Sequence, residues 1–131
     1  MARRVYIESQ QLDASPAPPS EIADTFVRSL GWRPPPSWTE IDREGALEVI
    51  SSALMNDLVT DAPRLPFREA ESEAHRFIAS CEPHATFLTN GPLAQTRMGF
   101  GRHPITPAKS DAGVIAITPT RITLMWVTDG A

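Results

Sequence analysis

One cysteine, Cys81, occurs in 131 residues. An internal disulfide is excluded, and such sparing use fits a reducing compartment. Lysine is as scarce: Lys109 is the only one, and the other cationic side chains of the Lys/Arg kind are arginines. No apolar run approaches the roughly 20 residues that a membrane-spanning helix needs. The opening "MARRVYIESQQLDAS" carries two arginines with no apolar stretch behind them, so it does not read as a signal peptide. These absences point to a cytoplasmic protein.

Catalytic signatures are missing too. No serine sits in a GxSxG elbow. Gly99-Phe100-Gly101 is a lone GxG, without the third glycine of a dinucleotide fingerprint or the lysine and hydroxyl of a phosphate-binding loop. No cofactor is implied, and the expectation is a binder, not an enzyme.

What is plentiful is proline, at 13 residues about twice ordinary usage. The prolines sit in connecting stretches and punctuate the fold. The length suits one domain, 1–131, able to bury a core without disulfides or a structural metal. Its expected parts are an N-terminal strand and proline-rich linker over 1–19, a helical part over 20–82 and a β-hairpin part over 84–129.

"RRVYIES" alternates as a short strand. A helix is expected from Ser20 as N-cap, with Ile22, Ala23, Phe26, Val27 and Leu30 on one stripe and Gly31 as its stop. "WRPPPSW" is a stiff connector that two tryptophans could anchor, or an exposed ligand for a proline-recognising module. "SWTE", Ser37 to Glu40, fits a capping box opening a second helix, with Thr39 as another N-cap choice. A third helix is expected near Pro66, with Phe67, Ala70, Ala74, Phe77, Ile78 and Cys81 on its apolar face.

After "CEPH" the period changes to two. "ATFLTNGPLAQTRMGF" reads as two strands about an Asn90-Gly91 turn, and "GVIAITPTRITLMWVTDG" as a hairpin turning at Pro119. The fold class is therefore α+β: about three helices on one face of a mostly antiparallel sheet of four to five strands. The first strand cannot be placed in that sheet from its pattern.

Charge is uneven within the net −4. Glu40 to Glu82 holds ten acidic and four basic residues, whereas Gly91 onward holds two acidic and four basic. Two candidate surfaces follow. Asp57, Asp61, Glu69 and Glu73 could form an acidic patch for a basic partner, or an ordinary solvated surface. Arg97, Arg102, His103 and Lys109 could form an anion- or partner-binding loop, or a plain connector. Cys81-x-x-His84 with His75 has metal-ligand spacing but lacks a second pair, so no metal is expected. Cys81 on an apolar stripe predicts a buried, unreactive thiol. Asp111 and Asp129, like Glu71 with His75, read as surface polar residues. Acidic balance and the lack of interleaved aromatics argue against direct nucleic-acid binding.

The expected function is a small protein-binding domain of inhibitor or immunity type, which neutralises a partner such as a toxin through an acidic surface. One alternative is a small enzyme or small-molecule binder using the Arg97–Lys109 loop. Another is an assembly subunit pairing through its C-terminal hairpin edge. No membrane partner is expected, and a homodimer stays open.

Overall fold

The computed structural model describes residues 3–13, 17–91 and 102–130. In chain order the elements are β1 (Arg4–Gln11), α1 (Pro19–Ser29), β2 (Thr39–Ile41), α2 (Arg43–Met55), α3 (Phe67–Ser80), β3 (Thr86–Thr89), β4 (Ser110–Ile117) and β5 (Arg121–Asp129). The strands form one antiparallel sheet in the order β1-β5-β4-β3-β2. The class is α+β, as the segregated periodicities predict.

β4 and β5 are buried on both faces, and their alternation sorts two cores. Ala112, Val114, Ala116, Met125 and Val127 face α2 and α3, meeting Val49, Ile50, Ala53, Phe77 and Ile78. Ile115, Ile117, Ile122, Leu124 and Trp126 face the other way, against Ala23, Phe26 and Val27 of α1 and the fully buried Ile105. Two of the three helices thus share a face, and α1 covers the opposite one. Met125 and Val127 of β5 are core residues of the α2–α3 layer.

Helix ends follow their local chemistry. α1 starts two residues earlier than an N-cap at Ser20 suggests, with Pro18 at the N-cap and Pro19 in the first turn. It ends in a Schellman arrangement: Gly31, at φ +81°, donates to Arg28 O, and Trp32 donates to Val27 O. The capping box expected at Ser37–Glu40 does not form. Thr39–Ile41 is instead a short edge strand, pairing Glu40 with Leu88 and Ile41 with Phe87. Ladder bonds to β3 claim this backbone, and Asp42 caps α2 by accepting from Gly45 N at 2.7 Å. α3 begins directly after Pro66, as expected.

The tryptophans around the three prolines anchor the connector. Trp32 packs edge-on against Tyr6 at 5.1 Å, and Trp38 against Trp126 at 6.3 Å. Trp38 Nε1 donates to Asp24 Oδ1 at 2.7 Å, fixing the connector to α1.

The β4–β5 hairpin forms as read, closed by Thr118 N donating to Arg121 O. Glu82 pins its turn, accepting from the hydroxyls of Thr118 and Thr120. β4 starts earlier than the pattern suggested, so Gly113 lies inside a strand. A Cβ there would stand 2.2 Å from Met125 O, so only glycine permits this approach. The return strand expected after Asn90-Gly91 lies outside the described residues. Asn90 itself is no exposed turn tip; it is fully buried. The C-terminal hairpin leaves no free edge at β5, because β1 pairs along it from Arg4–Thr128 to Gln11–Arg121. The open edge on that side belongs to β1.

Candidate protein-binding face

Two buried polar assemblies organise the surfaces around them. The first brings Asn90, Arg102 and Asp111 together. Asp111 is fully buried, and its carboxylate accepts from Asn90 Nδ2 at 3.0 Å, Ile105 N at 3.0 Å, Thr106 N at 2.8 Å and Thr106 Oγ1 at 2.7 Å. Burial still holds its pKa above the ordinary carboxylate value, because these donors only partly replace water. The Trp126 indole N–H leans toward this carboxylate and favours its charge, but falls short of a well-formed hydrogen bond.

Arg102 is buried beside it. Nη1 donates to Thr89 Oγ1 at 2.8 Å and to Asn90 Oδ1 at 3.1 Å. Burial pulls its pKa down to about 10, and the nearby Asp111 charge opposes that shift. Thr89 passes the chain on to Gly113 O at 2.7 Å. Asn90 links the two charged groups, and Gly91 lies so close to Arg102 that a Cβ would meet its Cγ at 2.6 Å.

The described basic residues of this stretch therefore do not converge. Arg102 turns into the cluster, while His103 and Lys109 are exposed. His103 binds the cluster only through its backbone, donating from N to Asn90 O and accepting from Asn90 Nδ2. Arg97 lies outside the described residues.

The second assembly centres on Asp129, also buried rather than superficial. Arg3 meets it in a fork, Nε to Oδ1 at 2.9 Å and Nη2 to Oδ2 at 2.7 Å. Arg3 also donates to Leu54 O and Asn56 O at the end of α2. Leu58 N adds a bond to Asp129 Oδ2 at 2.9 Å, and Arg64 approaches Oδ1 at 3.7 Å. This knot ties β1, β5 and the end of α2 together. Both buried aspartates were missed because hydrophobic periodicity carries no signal for a buried carboxylate.

The four acidic candidates divide. Asp57 is committed to its own loop: Oδ1 accepts from Val59 N and Thr60 N, and Oδ2 pairs with Arg64. Those bonds hold its carboxyl far below the ordinary range. Asp61 sits exposed at φ +64°, its backbone bonded to Asp57 O and Asn56 Nδ2. Glu69 and Glu73 lie one turn apart on α3. Glu69 is exposed, and half-buried Glu73 pairs with Arg76 at 3.2 Å.

Glu69 and Glu73 border a groove between α3 and β1, of about 590 Å³. Val5 and Ile7 of β1, Leu65 and Met125 line it with them, and Arg68 stands on the same helix wall. Val5 is 43% and Ile7 61% exposed. The groove thus has an apolar floor and a mainly acidic helix wall.

Other candidate chemistry is dispersed. The Cys81 thiol is half-buried at the end of α3, and desolvation pushes its pKa up to about 11. His75 and His84 are exposed, the latter at φ +64°. Among the described residues no group of three or more His, Cys, Asp or Glu side chains could hold a metal ion. Nor does any described helix have the length and apolarity to cross a membrane.

No family model, no curated protein and no solved structure matches this chain.

Proposed function

We propose that the chain is a protein-binding domain of the inhibitor or immunity type, which engages a basic partner at the acidic wall of α3. The supporting observation is the placement of Glu69 and Glu73 beside an apolar groove floored by Val5 and Ile7. An interface needs apolar surface for affinity and charge for partner choice, and this groove offers both. A partner with a cationic, nucleic-acid-directed surface fits the charge. The neutralised toxin would be one such partner, with the two glutamates standing where phosphates would.

Asp57 has a structural part in this reading, because its carboxylate is spent on Thr60, Val59 and Arg64. The patch is therefore smaller than the acidic run of the sequence suggests. The test is Glu69→Lys with Glu73→Lys, compared with the unaltered chain in affinity capture from host lysate at low and high salt. A partner held by the unaltered chain, released by salt and lost with the double variant, supports the reading. A partner retained equally by both at low salt removes it, since exposed charge contacts weaken under both changes.

A further inference from the structure

Among the described residues β1 is an unprotected edge. It runs for eight residues without proline, glycine or a break in register against β5. All but Tyr6 are exposed, and Val5 and Ile7 are large apolar side chains left in water. Natural sheets blunt such edges with short strands, bulges or a cover, because open N–H and C=O groups template further pairing. The opposite edge is treated that way: β2 has only three residues and follows a run of prolines. Among the described residues β1 pairs with β5 alone.

The direction of the open backbone groups follows from the ladder. Leu12 N donates to Thr120 O at 2.8 Å. Bonding alternates along an antiparallel strand, so Arg4, Tyr6, Glu8 and Gln10 turn their N–H and C=O toward β5. Val5, Ile7, Ser9 and Gln11 turn theirs outward.

We propose that a second copy of this chain pairs with that edge, β1 antiparallel to β1 about a two-fold axis at Tyr6, giving one ten-stranded sheet. Three registers bring outward-facing groups into line near the centre of the strand. With Tyr6 on the axis, Val5 opposes Ile7 of the second copy and Arg4 opposes Glu8, each twice by symmetry. With Ile7 on the axis, Arg4 faces Gln10 and Val5 faces Ser9, so both complementary pairs are lost. With Glu8 on the axis, two like charges meet. The first register alone matches apolar with apolar and positive with negative. Arg4 and Glu8 form no ion pair among the described residues, so both charges are available for it.

The pairing has a geometric result on the α3 side. Val5 and Ile7 would lie beside their symmetry mates, and the two grooves would join into one trough walled by both α3 helices. The dimer does not depend on the basic-partner reading, because it is measured on the isolated chain and uses β1, not Glu69 or Glu73.

The experiment is sedimentation of the purified full chain over a wide concentration range, with Arg4→Glu, Glu8→Arg and the double swap. Each single change sets like charges opposite one another twice. The expectation is a concentration-dependent dimer that each single variant weakens about tenfold or more, and that the double swap restores. Ile7→Pro removes an outward N–H but no ladder bond to β5, so it should give a folded monomer by circular dichroism. A chain monomeric at every concentration overturns the proposal. So does a dimer that ignores both single charge changes and Ile7→Pro.

Discussion

Arg3 and Asp129 stand 126 positions apart in the chain and meet as a two-bond fork, with Nη2 and Oδ2 at 2.7 Å. The carboxylate is fully buried and the guanidinium nearly so. Removing one partner of such a pair strands the other charge in a dry site. Arg3→Ala should therefore lower unfolding free energy by about 3–5 kcal/mol. Urea denaturation measures it, and a loss below about 1 kcal/mol would show that water reaches Asp129.

Arg102 and His103 are neighbours with opposite fates. Arg102→Ala should cost on the order of 3 kcal/mol, because Thr89 Oγ1 and Asn90 Oδ1 lose a buried, charged donor. His103→Ala should stay within about 0.5 kcal/mol, since only its backbone enters the cluster. Equal effects in thermal melts would contradict the inward orientation of Arg102.

Asp111 gives a pH signature. Its folded pKa lies above the ordinary 3.8, so the folded state binds this proton more tightly than the unfolded chain does. Its contribution is fully present below about 3.8 and is lost as pH rises through the folded pKa. The stability of the native chain relative to Asp111→Asn should accordingly fall as pH is raised from 4, then level off. A difference that is flat, or that grows with pH, would mean the donors outweigh burial.

Gly113→Ala should be among the most damaging single-methyl additions. Met125 O at 2.2 Å and Trp126 Cε3 at 2.5 Å leave no space, and β4 and β5 cannot part without opening both cores. A loss of about 3 kcal/mol or more is expected in chemical denaturation. Full native stability would show that the two central strands are further apart.

Cys81 should label slowly. With its pKa pushed up to about 11, roughly a thousandth of the thiol is ionised at pH 8. Reaction with a disulfide reagent should therefore trail an exposed cysteine by at least tenfold, and denaturant should abolish the difference.

The helices were legible because their apolar residues recur on one face. Ala23, Phe26 and Val27 of α1 and Ala70, Ala74 and Phe77 of α3 are all buried as that repeat predicts. The hairpin was legible from its β-branched runs and Pro119. β2 was not, because three residues are too few to show a period, and Ser37 and Glu40 mimic a cap. The place of β1 was not legible either, since its pattern does not state which strand it joins. The acidic run in the sequence pointed at four residues alike. Only the fold separates Asp57, locked in its loop, from Glu69 and Glu73 at the groove.

The pairing of β1 with β5 also bears on how the chain assembles. Every ladder bond between them closes a loop of more than a hundred residues, the kind of contact that slows folding most. The β4–β5 hairpin, α2–α3 and α1 can form from nearby contacts first. Until β1 arrives, β5 is the border of the sheet, and Ile122, Leu124 and Trp126 sit along a strand whose outer backbone is unpaired. The N-terminal strand thus acts as an internal guard for the hairpin, and a chain that lacks Arg4–Gln11 or is interrupted within β1 should aggregate during refolding.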